Sequence, residues 1–80
     1  MDAEDLKSAG LKVTLPRLKI LEVLEKSSNH HMSAEDIYRV LMEQHQDVWV
    51  ATIYRVLNQF EESGIVNMLN FEKNQSVYDL

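Results

Sequence analysis

The sequence predicts a mainly α-helical domain closed by a small β-hairpin. Three observations carry that expectation. Apolar residues recur at helical spacing in three successive segments; capping residues open or close those segments; and beyond Gly64 the pattern changes to short runs rich in β-branched and aromatic residues. Eighty residues at 45% apolar content suit one domain spanning residues 1–80. Leu, Ile and Val run from Leu6 to Leu80 with no disordered block. With no cysteine, stability has to come from packing.

Taken in order, residues 2 to 10 can form a short helix with Leu6 and Ala9 on one side, ended by Gly10. Thr14 can cap the next helix and Pro16 fits its first turn, where a missing N–H costs nothing. Leu18, Ile20, Leu21, Val23 and Leu24 cover a wide face of that helix, so it should lie against two neighbours. Ser27 to Met32 reads as a polar loop. Ser33 with Asp36 resembles a capping box for a helix reaching about Gln44, whose inward stripe is Ala34, Ile37, Tyr38 and Leu41. A further helix is expected over about Val50 to Ser63, with Ile53, Val56, Leu57 and Phe60 inward and Gly64 as its stop. Ile65 to Phe71 and Ser76 to Leu80 then read as two strands around the polar turn Glu72 to Gln75. Three core helices, an N-terminal helix and a two-stranded wing are the elements of a winged helix-turn-helix.

The charge balance runs against a nucleic-acid target, because 13 acidic and 8 basic residues leave a formal net charge of -5. A phosphate, however, feels mainly the charges within about 10 Å at moderate salt, so local distribution decides. From Val48 to Phe60 there is no acid. Burying Ile53, Val56, Leu57 and Phe60 turns Thr52, Tyr54, Arg55, Asn58 and Gln59 outward. Arginine can pair with guanine and Asn or Gln with adenine in a bidentate fashion, and a ring can pack on a thymine methyl, so the set suits a major groove. A solvated polar face is the plainer alternative for any amphipathic helix. Lys7, Lys12, Arg17 and Lys19 could meet phosphates or a narrow minor groove, or form a solvated scatter.

Gly10-Leu11-Lys12-Val13-Thr14-Leu15-Pro16-Arg17 and Ala51-Thr52-Ile53-Tyr54-Arg55-Val56-Leu57-Asn58-Gln59-Phe60 resemble two hallmark segments of the ferric uptake regulator family. His30-His31 before Met32-Ser33-Ala34-Glu35-Asp36-Ile37-Tyr38, and Ser63-Gly64-Ile65-Val66, resemble it too. The resemblance implies a winged helix that acts as the DNA-binding half of an iron-responsive repressor, working as a homodimer on AT-rich double-stranded operators. It puts Tyr54 on thymine methyls, Arg55 on a base or phosphate, Lys12 in the minor groove, and Thr52 and Arg17 on phosphates. It also implies a second, dimerising and metal-binding domain beyond Leu80. In such a longer protein His31 and Asp79 would join other ligands around Fe2+ or Zn2+. Aspartate stands where the family usually has glutamate, and Trp49 where it often has a small residue, for which packing is the one account the sequence offers.

For the 80 residues alone the expectation is a cytoplasmic monomer without membrane association or bound metal, since a histidine and one carboxylate are too few donors for a tight site. No arranged nucleophile, base and acid suggest an enzyme. The competing reading is a winged-helix protein-interaction module, which the acidity favours and the acid-free face opposes.

Overall fold

The computed structural model describes residues 2–27, 31–71 and 75–80. Four helices and a hairpin follow one another: α1 (Ala3–Ser8), α2 (Leu15–Lys26), α3 (Ala34–Glu43), α4 (Val50–Glu62), β1 (Asn67–Phe71) and β2 (Gln75–Asp79). This is the winged helix expected from the sequence. Residues 28–30 of the expected loop and 72–74 of the expected turn lie outside the described residues.

The helix boundaries follow from local hydrogen bonding. Asp2 caps α1 through the Glu4 amide at 3.0 Å while Asp5 accepts from the Asp2 N–H at 2.7 Å. This helix is shorter than residues 2–10 because Gly10, at φ 81°, already closes it. The Leu11 N–H donates to the Leu6 carbonyl at 2.9 Å and the Gly10 N–H to Lys7 at 3.0 Å, the paired bonds of a Schellman end. Thr14 accepts from the Arg17 amide at the head of α2, and Ser33 and Asp36 form the expected capping box, each bond 3.1 Å, at the head of α3. Gly64, at φ 85°, ends α4, with the Ile65 N–H on the Phe60 carbonyl at 2.8 Å. The same closure ends α3 on a non-glycine residue: His45 sits at φ 59° and the Gln46 N–H reaches the Leu41 carbonyl at 2.8 Å.

Helix α2 packs against both α3 and α4, as its wide apolar face requires. Ile20, Leu21, Val23 and Leu24 are buried with Ala34, Ile37, Leu41, Ile53, Val56, Leu57 and Phe60, and Leu18 packs at the edge. Leu6 brings α1 onto the same core. Truncating Phe60, which is fully buried, would remove about 3–5 kcal/mol, a large part of the stability of a domain this size.

Three expectations need correction. Tyr38 is 38% exposed and leaves the stripe to Ala34, Ile37 and Leu41, because at i+4 from Ala34 it falls on the flank facing the start of α4. Ile65 and Val66 are buried in the connection between α4 and the hairpin, so β1 begins two residues later, and Gln75 belongs to β2 opposite Phe71. Met32 is no loop residue: it is buried and forms an antiparallel bridge with Tyr78, its N–H donating to the Tyr78 carbonyl at 3.2 Å and its carbonyl accepting from the Tyr78 N–H at 2.8 Å. That bridge fastens the segment before α3 to the second strand of the wing. Tyr78 is the buried side chain through which β2 enters the core, while Met68 and Leu69 of β1 remain exposed.

Candidate nucleic-acid interface

The inward stripe of α4 leaves its other side to water. Tyr54, Arg55 and Asn58 are exposed, and Thr52 and Gln59 are half-buried at its margins. Every residue of the expected reading face is therefore on the surface. The helix starts without a side-chain cap, since Trp49 occupies that position and makes no cap bond, and no acid sits in the first turn. Its first amides and the positive end of its dipole are left to whatever approaches, an arrangement that favours a phosphate.

The neighbouring helix changes this face. Glu35 of α3 accepts a hydrogen bond from the Tyr54 hydroxyl at 2.5 Å. The pair stands over a cleft lined by Ser33, Asp36, Arg39, Ser76 and Val77. The bond to Glu35, with burial and the carboxylate's charge behind it, raises the Tyr54 phenol above its ordinary pKa, so Tyr54 stays neutral and keeps donating. Burial, followed by Glu35 and Glu61, likewise raises Tyr78. Glu35 was not visible from the acid-free run of α4, because it reaches the face from a different helix.

Arg17 joins the start of α2 to the same surface. Its Nη1 donates to the Lys12 carbonyl at 2.8 Å and its Nη2 to Gln59 Oε1 at 2.8 Å. Lys12, 42 residues before Tyr54 in sequence, thus lies in a segment anchored to α4. The described cations divide in two. Lys7, Lys26 and Arg39 form ion pairs with Glu4, Glu22 and Asp36, whereas Lys12, Arg17, Lys19 and Arg55 form none with a described residue. Three of those four are on or tied to the α4 face. With no buried charge among the described residues, all of this charge is at the surface.

The sequence model of the ferric uptake regulator family matches residues 8–80. The chain belongs to that family. It is 54% identical over 79 residues to the ferric uptake regulation protein of Legionella pneumophila, covering 99% of this chain and 58% of that protein. The Escherichia coli (strain K12) protein is 60% identical over 75 residues, 94% of this chain and 51% of that protein. Among solved structures, the Pseudomonas aeruginosa ferric uptake regulator with manganese superposes with a TM-score of 0.95 at 51% identity, covering all of this chain and 60% of that one. The chain thus spans little more than half the length of the relatives it matches.

Within this family member the two candidate metal ligands lie beside the Met32–Tyr78 bridge. Continuing its antiparallel register by one residue sets His31 across from Asp79. A histidine and a carboxylate on adjacent backbones suit a divalent cation as part of a larger ligand set. Among the described residues no group of three or more His, Cys, Asp or Glu stands close enough to hold one. Trp49 does not pack: it is 77% exposed, so packing does not account for it. Among the described residues no helix is long and apolar enough to cross a membrane.

Proposed function

We propose that this chain is the sequence-reading head of an iron-responsive transcriptional repressor and binds AT-rich double-stranded operator DNA. The observation that carries the reading is the outward face of α4, where Thr52, Tyr54, Arg55, Asn58 and Gln59 present hydroxyl, ring, guanidinium and amide groups with no acid of their own helix among them. Arg55, exposed and without an ion pair to a described residue, makes the base contact. Tyr54 packs its ring on thymine methyls. Thr52 and the uncapped first turn of α4 meet phosphate, and Lys12 enters the adjacent minor groove. Family membership and the close superposition on a family regulator support these roles.

In a longer, homodimeric family member, His31 and Asp79 would contribute to a regulatory Fe2+ or Zn2+ site completed by ligands outside these residues. Such an ion would couple the loop before α3 to the end of the wing. The isolated chain is a monomer and binds DNA more weakly than a dimer, which holds two half-sites at once.

The test is a fluorescence-anisotropy titration against an AT-rich inverted repeat and a scrambled duplex at two salt concentrations. Arg55→Ala should cost about 1–3 kcal/mol on the inverted repeat and relax base preference, while Lys12→Ala should weaken both duplexes and flatten the salt dependence. Equal binding by the wild type and Arg55→Ala removes Arg55 from the reading face. The rival reading, a protein-docking module, is favoured by the net acidity and gains one structural observation, the exposed Trp49 beside Tyr38, Val48 and Val50. It predicts no preference between the duplexes at either salt.

A further inference from the structure

Arg17 spans two acceptors on two separate elements with one planar group, and that geometry has consequences for both. The Lys12 carbonyl belongs to the segment before α2, and Gln59 Oε1 belongs to α4, each 2.8 Å from a different terminal nitrogen. A guanidinium only donates, so the Gln59 atom that faces it has to be the amide oxygen. The Gln59 amide nitrogen is then the group turned away from Arg17. The half-buried Arg17 fork also fixes the separation between the backbone at Lys12 and the outer face of α4.

We propose that Arg17 is a positioning residue for DNA reading and not a phosphate contact. It sets the span between Lys12 in the minor groove and the α4 residues in the major groove, and it turns Gln59 into a donor. With its oxygen engaged, Gln59 is poorly set for the donor-and-acceptor pair that adenine requires, and favours acceptors such as thymine O4, guanine O6 or phosphate. The inference rests on the DNA-binding reading above and specifies how two parts of that site are held in register.

Arg17→Lys separates positioning from phosphate contact. Lysine keeps the charge and can still meet a phosphate, but a single ammonium on a flexible stem does not reproduce a two-pronged fork. Anisotropy titrations on the inverted repeat and the scrambled duplex, repeated over a salt series, are the readout. Arg17→Lys and Arg17→Met should each lower the preference for the inverted repeat on the order of tenfold, the loss expected when one base reader is misplaced, with the slope of log affinity against log salt unchanged. A preserved preference in Arg17→Lys overturns the proposal. So does a slope reduced by about 0.9 in Arg17→Met with preference intact, the signature of one lost phosphate contact. A wild-type chain that does not distinguish the duplexes overturns the DNA reading itself. The clamp is then judged without DNA by a thermal-denaturation cycle: non-additive melting shifts for Arg17→Met and Gln59→Ala uphold it, and additive shifts overturn it.

Discussion

Glu35 should act as a brake on DNA affinity, and replacing it by glutamine measures how strong a brake. Its carboxylate is 2.5 Å from the Tyr54 hydroxyl, so if Tyr54 enters a major groove, Glu35 goes to the groove's edge with it. A groove about 12 Å wide puts a side chain inside it about 7 Å from the flanking phosphates. Two like charges at that distance repel by about 0.6 kcal/mol in bulk water and about 2.4 kcal/mol at an effective dielectric of 20. Screening at 0.1 M salt roughly halves both figures, and the exposed setting of the pair favours the lower one. Relief of about 0.3–1 kcal/mol follows, which is an affinity gain of about two- to fivefold in Glu35→Gln.

The assay is the same duplex titration, run from low to high salt. The gain should be largest at low salt and nearly vanish by about 1 M, where the screening length has shrunk to about 3 Å. Glutamine keeps an oxygen for the Tyr54 hydroxyl, so the ring stays in place while the charge goes. A second readout needs no DNA. The hydrogen bond to Glu35 is the main reason the Tyr54 phenol titrates above its ordinary value, and in Glu35→Gln that value should fall back towards it. Equal affinities at low salt would mean that Glu35 never nears a phosphate and that Tyr54 does not enter the groove. Weaker binding by the variant at every salt would mean that Glu35 serves DNA binding by orienting the ring.

The remaining predictions concern caps, closures and metal. Asp36 has its carboxyl pKa lowered, first by the Ser33 backbone N–H, so its contribution is present above the unfolded-state value and is lost as pH falls through the lower folded value. Asp36→Asn should therefore lower the melting temperature at pH 7 by the equivalent of less than about 1 kcal/mol, and the difference from wild type should shrink below about pH 4; a constant difference across that range refutes it. His45→Gly should raise stability by about 0.5–1 kcal/mol in a denaturant titration, because φ 59° is strained for histidine, and a loss would show that the His45 side chain contributes more than its backbone costs. Calorimetric titration of the 80-residue chain with a divalent ion near micromolar concentration should give no saturable one-to-one isotherm, since His31 and Asp79 leave most coordination positions open; such an isotherm would place a complete site within these residues.

What was legible in the sequence was local. Thr14, Ser33 with Asp36, Gly10 and Gly64 sit within a few residues of the bonds they make, and they marked the helix ends correctly. The inward stripe of α4 was legible for the same reason, and it fixed the outward set by subtraction. Tyr38 was misassigned because periodicity gives the direction of an apolar stripe but not its width. Met32 and Trp49 escaped for opposite reasons. A methionine in a polar run gains its burial from a strand 46 residues away, and Trp49, 77% exposed, is left uncovered at the head of α4 by the described residues. The two contacts that most alter the candidate site, Glu35 to Tyr54 and Arg17 to Gln59, join residues 19 and 42 apart. No pattern within one helix encodes them.

Those two contacts also bear on how so acidic a chain can serve a polyanion. Net charge is a sum, while a bound phosphate samples a neighbourhood, and side-chain pairing decides what that neighbourhood offers. Lys7, Lys26 and Arg39 spend their charge on acids one helical turn away, so they contribute little beyond their own partners. Arg17 gives its donors to two neutral oxygens and so holds Lys12 beside α4. Arg55 and Lys12, which form no ion pair with a described residue, then supply the local positive charge. Glu35 is the exception, an acid held against the reading face by Tyr54. A surface of net negative charge with a local cationic patch has a further effect. On the proposed reading, such a surface would disfavour DNA in most orientations and favour the one that presents α4.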